Sequence, residues 1–127
     1  MKIKMHESII ASPELAKSGK KKIEWVKMNM PILQKIELDF NKKQPFKGLR
    51  ILVCIHLEAK TAYLAKIFAS GGAEVAVIGS NSNSTKDDVV ASLAEEQLYV
   101  YARHAANSHE MKYYMNLALD LKPNIII

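Results

Sequence analysis

Cysteine is almost missing from this chain: Cys54 is the single one in 127 residues. One thiol closes no internal disulfide, which excludes a disulfide-stapled scaffold and fits a reducing compartment. Its apolar neighbours make an inert buried thiol the default reading. Long apolar runs are missing too. Nothing approaches the roughly 20 residues of a membrane span. The first ten residues, MKIKMHESII, lack the apolar core of a secretory signal, so a cytoplasmic location is expected. Aromatics are few, at 7 %, and interleave little with the lysines. The net charge of +5, densest at Lys20-Lys21-Lys22 and Lys42-Lys43, therefore reads as a soluble basic surface rather than a nucleic-acid footprint. His6, His56, His104 and His109 lack metal-ligand spacing, so no metal site is expected. There is no Gly-x-Gly-x-x-Gly, which argues against dinucleotide binding by this segment. No internal repeat or low-complexity tract is present.

What is present is ordinary globular material: 49 % apolar and 24 % charged residues, enough for one domain with a real core. The organising stretch is Gly48 to Gly79. An apolar run, Leu49 to Ile55, ends on the polar cluster His56, Glu58 and Lys60. An Ala-rich helical segment over 58–70 follows, then Gly71-Gly72, then a second apolar run, Ala73 to Ile78. Strand, helix and strand in that order make the βαβ unit of a parallel sheet. Gly71-Gly72 suits the helix end, where a left-handed residue is often required. Ligands of open parallel sheets bind beyond the carboxyl ends of the strands, which is where His56 falls.

Before this unit, residues 1–11 show no periodicity and read as a loose lead-in. Ser12-Pro13-Glu14 is a helix start, with Ser12 as hydroxyl cap. Leu15, Gly19, Ile23, Val26 and Met30 follow at helical spacing, with Gly19 a weak point. Pro31 restarts the helix, whose apolar face runs to Phe40. Asn41 to Lys47 is a polar linker. Trp25 and the methionines, at helical spacing, read as core or interdomain packing.

After the second strand comes Ser80-Asn81-Ser82-Asn83-Ser84-Thr85, a polar loop. Ser84 with Asp87 matches a capping box opening a helix over 85–96, whose Asp87 and Asp88 are first-turn charges. Tyr99 to Ala102 is a third strand, His109 to Leu121 a helix, and Asn124 to Ile127 a fourth strand. Its three isoleucines call for burial on both faces, which suggests the front of a longer protein. The fold class expected is α/β: an open, mostly parallel Rossmann-like sheet flanked by helices and preceded by a helical segment.

Several pieces in order carry a resemblance: Met30-Pro31; Gln44-Pro45-Phe46-Lys47-Gly48-Leu49-Arg50-Ile51; Cys54-Ile55-His56; Gly72-Ala73-Glu74-Val75; Asn81-x-x-Ser84-Thr85-x-Asp87-Asp88; and Pro123-Asn124-Ile125-Ile126-Ile127. From Ser12 onward the chain resembles the start of adenosylhomocysteinase, the NAD-dependent S-adenosylhomocysteine hydrolase. The resemblance implies that 1–127 is the N-terminal part of a substrate-binding domain, with a helical segment at 12–41 and βα repeats over 48–127. The NAD-binding domain would lie outside this chain, and a homotetramer is implied for the whole enzyme. The implied reaction oxidises the ribose 3′-hydroxyl with NAD, acidifies C4′, eliminates homocysteine from C5′, adds water and reverses the oxidation. The cofactor supplies the redox chemistry and the protein moves protons. These residues alone are expected to be inactive.

His56 matches the family histidine near the ribose 5′ side, where its near-neutral titration suits proton transfer. Without the resemblance it reads as a histidine satisfying backbone groups at a strand end. Glu58 and Lys60 depart from the common x-Thr-x-Glu of the family and look like an archaeal and thermophilic variant. There they would meet the purine, and a donor-only lysine suits a 6-oxo base, so S-inosylhomocysteine stands beside the adenosyl thioether as substrate. The other reading makes both first-turn surface charges. Asn81, Ser84 and Thr85 match a loop beside the substrate; capping by Ser84 is the plainer role. Lys86 replaces a family glutamine and carries no expected contact. Against the enzyme stands a second hypothesis, a stand-alone nucleoside-binding or regulatory module of the same fold. A nucleic-acid binder rests on charge alone.

Overall fold

The computed structural model describes residues 4–127. Four strands, β1 (Arg50–Ile55), β2 (Glu74–Gly79), β3 (Tyr99–Tyr101) and β4 (Ile125–Ile126), form one sheet in the order β3-β2-β1-β4, and every pair is parallel. Among the described residues five α-helices surround it: α1 (Ala16–Met28), α2 (Pro31–Lys43), α3 (Ala59–Ser70), α4 (Asp87–Glu95) and α5 (Ser108–Leu119). The architecture is the open α/β sheet expected.

Residue alternation on the strands assigns the two faces. Ile51 and Val53 of β1, Val75 and Val77 of β2 and Val100 of β3 join side chains of α1, α3 and α4 in the larger core. Leu52, Ala76, Ile78 and Tyr101 point the other way and meet Tyr114, Leu117 and Ala118 of α5. Because strands on both sides of the sheet are buried, their sequences run apolar without a break. The chain moves outward from β1 to β2 to β3, then returns to place β4 on the far side of β1. The strand order therefore reverses beside β1, and the residues leaving β1 stand at the reversal, where open α/β sheets hold ligands.

Gly19 has a role beyond weakening a helix. A Cβ there would lie 1.8 Å from the Asp88 carbonyl oxygen, so the missing side chain lets α1 and α4 touch backbone to backbone. Asp88, 9 % exposed, faces this contact. It accepts from the Ser18 hydroxyl at 3.0 Å and the Val89 amide at 2.8 Å, and pairs with Lys22. Burial pushes its carboxyl upward, but the Lys22 ammonium, Ser18 and the Val89 amide outweigh that and hold it below the usual aspartate value. Asp88 is thus the first-turn charge expected, and in addition buried and paired. At the end of α3, Gly72 takes the left-handed conformation (φ +99°).

Four expectations are corrected. Ser12 makes no capping bond; Pro13–Leu15 form a short 3-10 turn ahead of α1. The lead-in is tied down over its described part. Ile9 bridges Tyr101, its amide donates to Val100 O at 2.9 Å, and Ser8 Oγ accepts from the Val100 amide. This pairing depends on the edge of β3, which the local sequence of 4–11 does not reveal; residues 1–3 lie outside the described part. Trp25 and Met28 are 64 % and 76 % exposed, because α1 turns Ile23 and Val26, not those residues, into the core. Met5, Met30, Met111 and Met115 do pack against the cores, partly buried. Ile125, Ile126 and Ile127 are 39 %, 60 % and 38 % exposed, since β4 is an edge strand in this chain.

Candidate functional site at the carboxyl ends of the first two strands

Parallel register carries β1 and β2 to the same end of the sheet, with Ile55 opposite Gly79. Their exits are then stitched together. The Ser80 amide donates to Ile55 O at 3.1 Å, and the Lys86 amide donates to Leu57 O at 3.1 Å. Leu57 is fully buried and anchors the turn between β1 and α3, leaving His56 before it exposed. His56 Nδ1 lies 2.6 Å from Ser84 Oγ.

The loop after β2 is organised around one carbonyl. Asn81 O accepts from the hydroxyls of Ser84 at 3.0 Å and Thr85 at 3.1 Å. The Asn81 side chain accepts from the Asn83 amide at 2.9 Å and caps the 3-10 turn Ser82–Ser84. Thr85 is buried, its hydroxyl filling the space where a side chain on Gly79 would stand. The structure thus brings His56, Asn81, Ser84 and Thr85 into one cluster.

The capping box expected of Ser84 and Asp87 is absent. The 3-10 turn delays the helix, so α4 is capped at Lys86 with no side-chain bond, and the Ser84 hydroxyl is spent within its own loop. Among the described residues a capping box is formed at Asn107 and Glu110, where each side chain bonds the other's backbone amide at the start of α5.

Glu58 and Lys60 part company. Glu58 is the N-cap of α3: its carboxylate accepts from the amides of Lys60 and Thr61, both at 3.1 Å. A cap of this kind satisfies amides that the helix leaves orphaned. Lys60 is exposed. Both line a small cavity of about 290 Å³ with Ala59 and, from α1, Lys22, Trp25 and Val26. The Glu58 amide donates to His56 O at 3.2 Å, but among the described hydrogen bonds neither side chain reaches the His56 ring or the Ser84 hydroxyl.

Histidine 104 had no assigned role in the sequence. It closes the cluster from behind, its Nδ1 3.2 Å from Thr85 O and its amide donating to Asp87 Oδ1 at 2.8 Å. No local spacing signals this, since the partners lie 17 and 19 residues away. Among the described residues no group of three or more His, Cys, Asp or Glu side chains could hold a metal ion.

A dinucleotide does not fit the β1–α3 turn. Its pyrophosphate would need the free amides opening α3, and the Glu58 carboxylate already occupies them with a negative charge of its own. The exposed imidazole with a hydroxyl on its Nδ1 can instead accept or deliver a proton at its other nitrogen.

Fold and cluster together define a class: an α/β domain with helices on both sheet faces and a polar cluster at the carboxyl ends of its first two strands. Within that class the family is settled by residues 7–127, which match the model of S-adenosyl-L-homocysteine hydrolase. The chain belongs to that family. It is 51 % identical over 113 residues to the adenosylhomocysteinase of Pyrococcus abyssi, covering 89 % of this chain and 27 % of that protein. It is 45 % identical over 113 residues to the S-inosyl-L-homocysteine hydrolase of Methanocaldococcus jannaschii, again covering 89 % and 27 %. To the protein of that name from Methanopyrus kandleri it is 42 % identical over 127 residues, 98 % of this chain and 30 % of that one. The chain thus spans less than a third of the length of these curated relatives.

Proposed function

We propose that this chain is the front of the substrate-binding domain of a hydrolase that reversibly cleaves S-adenosylhomocysteine or S-inosylhomocysteine to a nucleoside and homocysteine. His56 is the catalytic group assigned to it. Carbon–sulfur cleavage at C5′ needs a proton delivered to the leaving thiolate, and the addition of water that follows needs one removed; an imidazole can do both. The observation that carries this assignment is the 2.6 Å contact joining His56 to the loop after β2, at the point where the strand order reverses. The family's redox chemistry is supplied by NAD. The start of α3, capped by Glu58, offers its pyrophosphate no free amides, and the work proposed for these residues is binding, orientation and proton transfer.

Asn81, Ser84 and Thr85 form the substrate-side wall of the same cleft, and the cavity beside Glu58 and Lys60 takes the purine. Glu58 holds the helix start that presents Lys60, and Lys60 donates to a 6-oxo group better than it tolerates a 6-amino group. Homo-oligomeric assembly belongs to the whole protein under the same proposal. No described helix is long and apolar enough to cross a membrane.

The deciding experiment compares the full-length protein with its His56→Ala variant. Turnover falls about 10²- to 10⁴-fold, the usual range for one positioned acid–base group, while the thermal melt is unchanged. Equal turnover removes His56 from the chemistry. Kinetics on the adenosyl and inosyl thioethers test Lys60, and a strong adenosyl preference rejects its assignment. The 127 residues alone turn over neither substrate.

A further inference from the structure

We propose that Ser84 is a positioning residue that fixes His56 as the Nδ1–H tautomer, so that Nε2 is the nitrogen that exchanges protons. The inference rests on the proposed role of His56 and adds to it which nitrogen acts and what decides it. A backbone carbonyl only accepts, and it has two lone pairs. Asn81 O receives two hydroxyls, Ser84 Oγ at 3.0 Å and Thr85 Oγ1 at 3.1 Å. A serine hydroxyl has one proton, so once it is given to Asn81 O the oxygen meets His56 only as an acceptor. The 2.6 Å contact then requires the proton on Nδ1, and the neutral ring carries its lone pair on Nε2.

The partners hold this direction firmly. Thr85 is buried and sits against Gly79, and the Thr85 carbonyl is 3.2 Å from His104 Nδ1. The short turn Ser82–Ser84 keeps Ser84 over Asn81; the Ser84 amide, at 3.3 Å, is a third and longer donor to a carbonyl whose two nearest partners are the hydroxyls. An unconstrained neutral histidine favours the opposite tautomer, with the proton on Nε2. Ser84 therefore reverses the ring's intrinsic preference. It presents Nε2 as the proton acceptor for the attacking water and, once protonated, as the donor to the leaving sulfur.

The test uses two readouts. In the 127-residue chain with ¹⁵N-labelled histidine, the ring nitrogen shifts of His56 are recorded at pH ~9, where an ordinary imidazole is neutral. The expected result is a protonated Nδ1 and a bare Nε2 in the wild type, reverting to protonated Nε2 in Ser84→Ala. Protonated Nε2 in the wild type, or no change on substitution, overturns the proposal. If Ser84→Ala does not fold, the wild-type spectrum decides. In the full-length enzyme Ser84→Ala lowers kcat about tenfold, with KM little changed and the acid limb of the pH–rate profile displaced. Ser84→Thr, which keeps a hydroxyl, restores the rate. Unchanged kcat in Ser84→Ala overturns the positioning role. The two layers separate cleanly: a reversed tautomer sinks the Ser84 inference alone, whereas an active His56→Ala enzyme sinks the catalytic assignment and leaves the tautomer standing.

Discussion

The two chain exits at the carboxyl edge of the sheet solve the same problem in opposite ways. After β1 the chain enters α3 within three residues, and the Glu58 carboxylate consumes the amides that open the helix. After β2 it spends seven residues, 80–86, and its hydroxyls converge on the Asn81 carbonyl instead of on the next helix. The short turn is a self-satisfied cap that pushes an imidazole outward. The longer loop supplies the hydroxyl that receives it. A polar residue next to a helix start is thus not automatically a cap: the intervening 3-10 turn decides whether the side chain faces the helix or the neighbouring strand's exit.

The difference can be broken from outside by Gly19→Ala. The added Cβ falls on the Asp88 carbonyl, so α1 and the first turn of α4 must part. Overpacking of this kind costs about 3 kcal/mol. Urea denaturation should show it, together with loss of the His56–Ser84 contact in NMR spectra, while α3 keeps its cap. Gly79→Ala acts on the loop itself, displacing Thr85 Oγ1 from 2.6 Å away, at about 2 kcal/mol. It should perturb the resonances of residues 81–85 more than those of 58–61. Glu58→Ala strikes the other exit and should cost about 1 kcal/mol as a lost cap, with hydrogen exchange accelerating at the Lys60 and Thr61 amides and not at Ser84.

The smallest effect expected is a pH dependence at the base of the loop. Asp88 titrates below its usual value in the folded chain. Its stabilisation is therefore complete above the ordinary aspartate value and fades as pH falls through the lowered folded value. Lys22→Met should lower the urea midpoint near pH 7, and the gap from wild type should close toward pH ~2–3, below the unfolded aspartate value of about 3.9. A gap that is constant with pH would show that Lys22 acts through packing rather than charge.

Much of this was legible in residue order. The strands at Leu49–Ile55 and Ala73–Ile78, the helix between them and the glycine pair after it follow from apolar runs and turn residues, and these place His56 at a strand exit. What local order misjudged was partnership. Ser84 next to Asp87 has the spacing of a capping box, yet its hydroxyl bonds across the loop; Asn107 and Glu110, three apart like any capping box, form the real one. Trp25 shares helical spacing with Ile23 and Val26, but only those two face the core and Trp25 is left outside. Ser8 and Ile9 have no periodicity and still pair with β3, because that strand offers an open edge.

Composition, periodicity and the polar clusters after two apolar runs determined the α/β class, the parallel sheet and the end of it proposed to carry the chemistry, since these depend on neighbours in sequence. Tertiary structure alone decided that His56 meets Ser84, that Asn81 O collects two hydroxyls, that Glu58 turns inward to its helix and that Gly19 lets two backbones touch. Each of those is a contact between groups brought together by strand register and helix crossing, and hydrogen bonds fall off within a few tenths of an ångström. No pattern along the chain encodes distances on that scale.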